Sequence, residues 1–253
     1  MSLTMGKTLR AVSALGAAAA IAGTMGVSQP ANAGWCNTNG CTLTLTGHIT
    51  VRNNWWGVAS TGASGWQDVW TNGSANWGSD FSWNAGNNQY GVKTFADTHD
   101  GWAWGGFNGS PFPQQINWGG SSWIKSTANN YWCNGTQDTI WDCFYSYSSN
   151  PGSSNPNTEL EVWLTASINP SGWIYNTTVD GVFYNVYYQH GNWDILAYVP
   201  SYASSRTVNI YDISKDACNH GRMSTNEYLL NIDFGPEIYQ GSGSMNCGQF
   251  YAP

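Results

Sequence analysis

Thr158-Glu-Leu-Glu-Val-Trp-Leu164 alternates strictly between aliphatic and other side chains. A period of two puts Leu160, Val162 and Leu164 on one face of an extended strand and Glu159, Glu161 and Trp163 on the other. The aliphatic face suits the interior between two packed sheets. The opposite face joins two carboxylates to an indole, which is an odd surface to give to solvent alone. It would make a serviceable floor for a sugar-binding cleft, where an indole stacks on pyranose rings and carboxylates do acid/base work. An ordinary exposed strand face fits the same residues equally well, so this stretch decides the fold before it decides the chemistry.

Similar short alternating runs flank it at Thr42 to Val51, Val182 to Tyr188, Trp193 to Val199 and Thr207 to Ile213. Clusters of Gly, Asn, Ser and Pro separate them, as in Asn150 to Asn157, and no long helical period occurs. Many short strands with turn signals between them predict an all-β sandwich or jelly roll. Ile213 to Asn219 is the exception and reads as one short helix, capped by Asp212 or Ser214. No linker, second composition zone or internal repeat divides the chain, so residues 34–253 are expected to form a single domain.

The composition supports this reading and excludes others. Of 253 residues, 16 are Trp, 14 Tyr and 30 Gly, and 15% are aromatic, which suits a packed, turn-rich chain rather than a disordered one. Eight basic residues against fifteen acidic ones leave no basic patch for a polyanion, so nucleic acid is not an expected partner. The same scarcity of cations favours a neutral polysaccharide over an acidic one.

Residues 1–33 read as an export signal. Lys7 and Arg10 precede the apolar run Ala11 to Val27, and Ala31-Asn-Ala33 fits a small-x-small cleavage site. The run is short for a membrane span, so a secreted, extracellular protein with no membrane attachment after cleavage is expected. All six cysteines lie beyond that point, and an even count outside the cytosol reads as disulfides. Neighbour pairing, Cys36 with Cys41, Cys133 with Cys143 and Cys218 with Cys247, is the simplest arrangement. No CxxC or spaced Cys/His cluster marks a metal site, and no metal or cofactor is expected.

Beyond residue 33 the chain has only four glutamates: Glu159, Glu161, Glu227 and Glu237. Glu237 lies in Phe234-Gly-Pro-Glu-Ile-Tyr239, among apolar and aromatic neighbours that would keep a carboxyl protonated toward neutral pH. A protonated acid opposite an ionised partner is what glycoside cleavage needs. A solvated turn glutamate would have the same neighbours in sequence.

Taken together, these segments resemble glycoside hydrolase family 12, the small secreted endo-β-1,4-glucanases and xyloglucanases. Asn53-Asn-Trp-Trp-Gly57 is similar to the family's Asn-Asn-x-Trp-Gly, and Gly91-Val-Lys-Thr-Phe95 to its Val-Lys-Ser-Tyr strand. Trp141-Asp-Cys-Phe144 stands in the place of Tyr-Asp-Leu-Phe, and Glu159-Leu-Glu-Val-Trp-Leu164 in that of Glu-Ile-Met-Ile-Trp-Leu. Tyr228-Leu229 through Gly235-Pro-Glu237 to Gly241 matches the segment that carries the family's acid/base. Order and spacing are kept across most of Asn53 to Phe250.

The resemblance implies a jelly roll of two antiparallel sheets, one of them concave and lining a cleft. It implies a retaining enzyme acting on β-glucan, with Glu159 as nucleophile, Glu237 as general acid/base and Asp142 hydrogen-bonded to Glu159; a monomer is the expected state, although the sequence leaves oligomeric state open. Asn54, Trp56, Trp163 and Glu161 would line the substrate path. Such chemistry places the two reacting carboxyls roughly 5–5.5 Å apart. Glu161 departs from the family, which usually has Met there. An added carboxylate on the same face, two residues from the nucleophile, would raise one of the carboxyl pKa values. The Trp- and Asn-rich stretch from Asp100 to Cys133 departs too and reads as elaborated loops. A xyloglucan-specific enzyme, a lectin-like glucan-binding module and an inactive wall-associated protein are the competing readings, because one fold hosts all of them.

Overall fold

The computed structural model describes residues 33–117, 124–201 and 207–253. The chain runs through β1 (Ala33–Cys36), β2 (Thr42–Thr46), β3 (Ile49–Asn54), the single turn α1 (Val58–Thr61), β4 (Gly65–Gln67), β5 (Val69–Asn72) and β6 (Trp77–Trp83). The ten-residue β7 (Thr94–Ala103) follows, then β8 (Gly106–Phe107), β9 (Gln114–Gln115), β10 (Lys125–Asn129) and β11 (Trp132–Cys133). Next come β12 (Thr136–Ser146), β13 (Thr158–Ala166), β14 (Trp173–Val179), β15 (Val182–His190) and β16 (Asp194–Pro200). The last elements are β17 (Thr207–Asn209), α2 (Ile210–Asn219), β18 (Tyr228–Leu229), β19 (Asn231–Cys247) and β20 (Gln249–Tyr251).

These strands form the expected jelly roll. A broad sheet runs β2-β3-β7-β19-β12-β13-β16-β15-β14. A narrow sheet runs β1-β5-β6-β19-β11, with β4 also on β6. The 17-residue β19 belongs to both. Its first part pairs with β7 and β12, and from Gly241 onward it pairs with β6. Gly241 has φ +95°, a left-handed conformation that glycine adopts freely, and it sits where the strand turns from one sheet into the other.

Alternation sorts the side chains between core and cleft. Leu160 and Val162 are fully buried and Leu164 is 8% exposed, and they pack with Val51, Trp77, Phe234 and Met245 between the sheets. Burying each such side chain contributes roughly 1.5–3 kcal/mol. The opposite face of the broad sheet carries the polar and acidic residues.

The structure corrects the sequence reading in four places. Thr42 to Val51 is a hairpin rather than one strand, because Gly47 (φ +56°) turns the chain between β2 and β3. The antiparallel pattern has an exception in β13 and β16, which pair in parallel with Glu159 opposite Ile195. Thr207 to Ile213 is strand only as far as Asn209, and α2 begins at Ile210 with Asn209 as its N-cap residue. Asp212 falls in the first turn, where a carboxylate suits the helix dipole. Ser214 lies inside the helix, its hydroxyl donating to the Ile210 carbonyl. Finally, Cys36 and Cys41 form a disulfide, but Cys133, Cys143 and Cys218 are free thiols, so the other two neighbour pairs are not formed. Except for Ala33, the segment read as an export signal lies outside the described residues.

Candidate active site

The polar face of the broad sheet gathers its charges by register. Asp142 on β12 stands opposite Glu161 on β13 on one side and Asp233 on β19 on the other. Asp233 in turn faces His99 on β7, and Arg52 on β3 faces Asp97 on β7. Directly opposed residues share a face, so strands distant in sequence deliver these side chains to one surface.

The two β13 glutamates have different environments. Glu159 is 8% exposed and its Oε2 accepts a hydrogen bond from Trp193 Nε1 at 2.6 Å. Glu161 is 1% exposed and its Oε2 accepts from Trp163 Nε1 at 2.7 Å. The sequence reading put Trp193 at the head of a strand and gave it no part in the site. It lies in the turn before β16, and only the parallel pairing of that strand with β13 brings it to Glu159. Trp163 is 1% exposed and packs with Phe95, Ile140 and Ala197, so its indole supports Glu161 and offers sugar no stacking surface.

Asp142 lies among these groups, and its buried Oδ1 has no hydrogen-bond partner among the described residues. Its carboxyl is pushed well above the ordinary range, first by burial and then by Glu159, Asp233, Glu161 and Glu237 in decreasing order. A carboxyl held in its protonated form beside a glutamate can donate a hydrogen bond to it. The charge of Glu161, which the sequence reading expected to raise one of the carboxyls, is a lesser contributor here, behind burial, Glu159 and Asp233.

Glu237 is 5% exposed and lies further along the sheet. The hydroxyl of Tyr239 is 3.1 Å from Asp138 Oδ2 and 3.3 Å from Glu237 Oε2. Glu237 stands opposite Asp138 of β12, whereas Glu159 stands opposite Phe144 and Glu161 opposite Asp142. Along β12, then, the level of Glu237 is six residues from that of Glu159 and four from that of Glu161. At roughly 3.3 Å per residue those levels lie about 20 Å and about 13 Å from that of Glu237 along the strand, so the register by itself does not bring either glutamate to the roughly 5–5.5 Å expected of a retaining pair. Gly235, two residues before Glu237, lets β19 press against β7, because a Cβ there would lie 1.9 Å from the Ala96 carbonyl oxygen.

A cluster of Arg52, His99 and two aspartates flanks this row. Arg52 Nε donates to Asp97 Oδ1 at 2.7 Å and Nη2 to Asp233 Oδ2 at 2.6 Å, while His99 Nδ1 lies 2.7 Å from Asp233 Oδ1. Burial opposes ionisation of Asp233, but Arg52 and His99 overcome it and hold this carboxyl below its ordinary value. Asp97 moves the other way, raised by burial against the pull of Arg52. Nothing in the sequence singled out this cluster, because its members lie on three strands far apart in the chain.

Trp56 is 42% exposed, just beyond β3 and Asn54, and is available to a ligand. The neighbouring Trp55 is held instead, donating from Nε1 to Asn53 Oδ1 at 2.8 Å and packing edge-on against Trp83. Past Glu237, a pocket lies among Tyr90, Ser167, Asn169, Tyr239 and Gln240. Among the described residues, no group of three or more His, Cys, Asp or Glu side chains is arranged to hold a metal ion. No helix among them is long and apolar enough to cross a membrane.

Solved structures of family 12 glycoside hydrolases share this two-sheet fold. The native family 12 xyloglucanase from Bacillus licheniformis matches with a TM-score of 0.73 at 20% identity, covering 87% of this chain and 99% of its own. The family 12 endoglucanase 3 of Trichoderma harzianum matches at 0.70 and 22%, covering 87% and 98%. In sequence, endoglucanase S of Pectobacterium parmentieri is 24% identical over 212 residues, 78% of each chain. No family model matches the chain.

Proposed function

We propose that the protein is a secreted retaining endo-β-1,4-glucanase with Glu159 as nucleophile and Glu237 as general acid/base. The observation that carries this reading is the row of buried carboxyls on one sheet face, in which a protonation-biased Asp142 adjoins Glu159. In the first step Glu159 attacks the anomeric carbon while Glu237 gives its proton to the departing glycosidic oxygen. Glu237 then takes a proton from water, which displaces Glu159 and regenerates the enzyme. Asp142 and the Trp193 N–H steady the charge on Glu159 as it enters and leaves the covalent bond. Asn54 and Trp56 bind sugar toward one end of the cleft. The fold relatives named above include both an endoglucanase and a xyloglucanase, and a linear β-glucan is the substrate proposed here.

The register favours one second reading, in which Glu161 is the nucleophile because its level on β12 is nearer that of Glu237. Its deeper burial, 1% exposed against 8% for Glu159, counts against this, since an attacking oxygen must reach substrate.

The test is reducing-end release by the mature protein on carboxymethylcellulose, barley β-glucan and xyloglucan, followed by trapping with a 2-deoxy-2-fluoro cellobioside and mass analysis of the labelled peptide. Release that Glu237→Gln abolishes, with label on Glu159, is the expected result. Label on Glu161 would select the second reading. Folded protein silent on all three glucans would overturn the catalytic reading and leave a binding module.

A further inference from the structure

The outer face of the narrow sheet carries a row of tryptophans that the proposed reaction does not use. Trp35 on β1 is directly opposite Trp70 on β5, and Trp70 is opposite Gly78 on β6. Gly78 is opposite Asn246 on β19, and Asn246 is opposite Trp132 on β11. One line of register thus crosses the whole sheet and puts Trp35, Trp70 and Trp132 on the same face. The inward neighbours Val69, Trp77, Met245 and Cys247 are buried in the core, which fixes this line as the outward one.

The indoles are prearranged. Trp35 and Trp132 are 58% and 50% exposed. Trp35 Nε1 donates to Asp68 Oδ2 at 2.8 Å, and Asp68 Oδ1 accepts the Asp80 amide at 3.0 Å, so the exposed ring is tied at its polar edge. Trp70 lies against the backbone of β6, since a Cβ at Gly78 would meet its Cζ2 at 2.3 Å. The glycine provides the space in which that ring lies on the sheet. The Cys36–Cys41 disulfide anchors β1, the strand that brings Trp35.

We propose that this row is a second glucan-binding site on the face opposite the cleft, taking a β-1,4-linked chain laid across the strands. Three features select that occupant. Strands repeat every ~4.8 Å, close to the advance of one sugar along a β-1,4 chain, so indoles held in register by the sheet meet sugar faces in register. The outward positions beside the indoles are Asp80, Ser82, Ser242, Ser244 and Asn246, a carboxylate, hydroxyls and an amide that can all hydrogen-bond a neutral polyhydroxyl ligand. The strands of this sheet contain no Lys or Arg, and Asp80 faces outward among the indoles, which excludes a polyanion. The choice of polymer rests on the proposed function. The platform itself rests on the register alone.

The experiment uses the full mature protein carrying Glu237→Gln, with insoluble cellulose and immobilised barley β-glucan as probes. Saturating cellotetraose fills the cleft. Retention on either glucan is expected, weakened about tenfold by Trp35→Ala or Trp132→Ala and lost in the double variant. Trp173→Ala, at a 56% exposed indole on β14, is the control and leaves retention unchanged. With Glu237 restored, the double variant keeps its kcat/KM on a short soluble cello-oligosaccharide. Retention by the double variant equal to its parent, or none by the parent once the cleft is filled, overturns the proposal. So does a parent that sediments as a dimer and becomes monomeric in the double variant without losing glucan. Tryptophan-dependent retention in a protein that hydrolyses no glucan would instead sink the catalytic reading and leave this one standing.

Discussion

Asp142 and Asp233 occupy one register position on adjacent strands, yet their surroundings drive their carboxyls in opposite directions. Arg52 and His99 hold Asp233 ionised against burial, whereas Asp142 has burial and only carboxylates about it and keeps its proton. The ionised member of the pair helps to keep the other one neutral.

Replacing Asp233 by Asn therefore removes one of the charges that raises Asp142. The proton of Asp142 should then be lost at lower pH than in the parent. Infrared titration of the protonated carboxyl stretch, with Asp142→Asn to assign the band, measures this. An unmoved band would mean that Asp233 serves the fold alone.

Arg52 is 19% exposed at the side chain and holds Asp97 and Asp233 together. Arg52→Met should leave two buried carboxyls without their cation and cost roughly 3–5 kcal/mol, the range for breaking a buried pair from one side. Urea denaturation at pH 7 is the measurement. A cost below about 1 kcal/mol would place Arg52 with ordinary surface ion pairs.

Trp193→Phe keeps most of the aromatic packing against Phe144 and Trp104 and removes only the N–H that Glu159 accepts. A hydrogen bond to a charged group contributes about 1.5–3 kcal/mol, so kcat on barley β-glucan should fall roughly ten- to a hundredfold. KM should change little, because the bond serves the nucleophile. A rise in KM at constant kcat would assign Trp193 to sugar binding instead.

Lys93 is buried, with Nζ donating to the Asn88 and Gly91 carbonyls at 2.6 Å each, and burial lowers its pKa to about 8. A lysine whose folded pKa lies below the unfolded value of 10.5 is destabilising while charged, and that penalty fades as pH rises from about 8 toward 10.5. The neutral amine still has two N–H groups for the two carbonyls. The stability of the wild type relative to Lys93→Met should therefore increase over this window, as read from melting temperatures at pH 8, 9 and 10. A flat difference would refute the lowered pKa.

The alternation of Thr158 to Leu164 was legible because it depends on neighbours in sequence. Each residue's face follows from a period of two, and the core accepted Leu160, Val162 and Leu164 as expected. Arg52 and Trp193 were illegible for the converse reason. Their partners are set by which strands pair, and β3, β7 and β19 are remote in the chain. Trp163 misled because alternation gives a direction but not a depth. It points to the cleft side and is nonetheless covered by Phe95, Ile140 and Ala197. Gly47 hid a turn inside a run that alternated on both sides of it.

The close approach at Gly235 makes the neighbourhood of Glu237 unequal in how far it can be redesigned. Any side chain at 235 would collide with main chain, which cannot step aside as a flexible side chain can. In a library randomised around the proposed acid, position 235 should return glycine whatever glucan is used for selection. Tyr239, whose hydroxyl reaches Glu237, and Asp138, which the same hydroxyl reaches, are the positions where diversity should survive and alter performance. Directed evolution would thus find one wall beside this glutamate fixed and the other open.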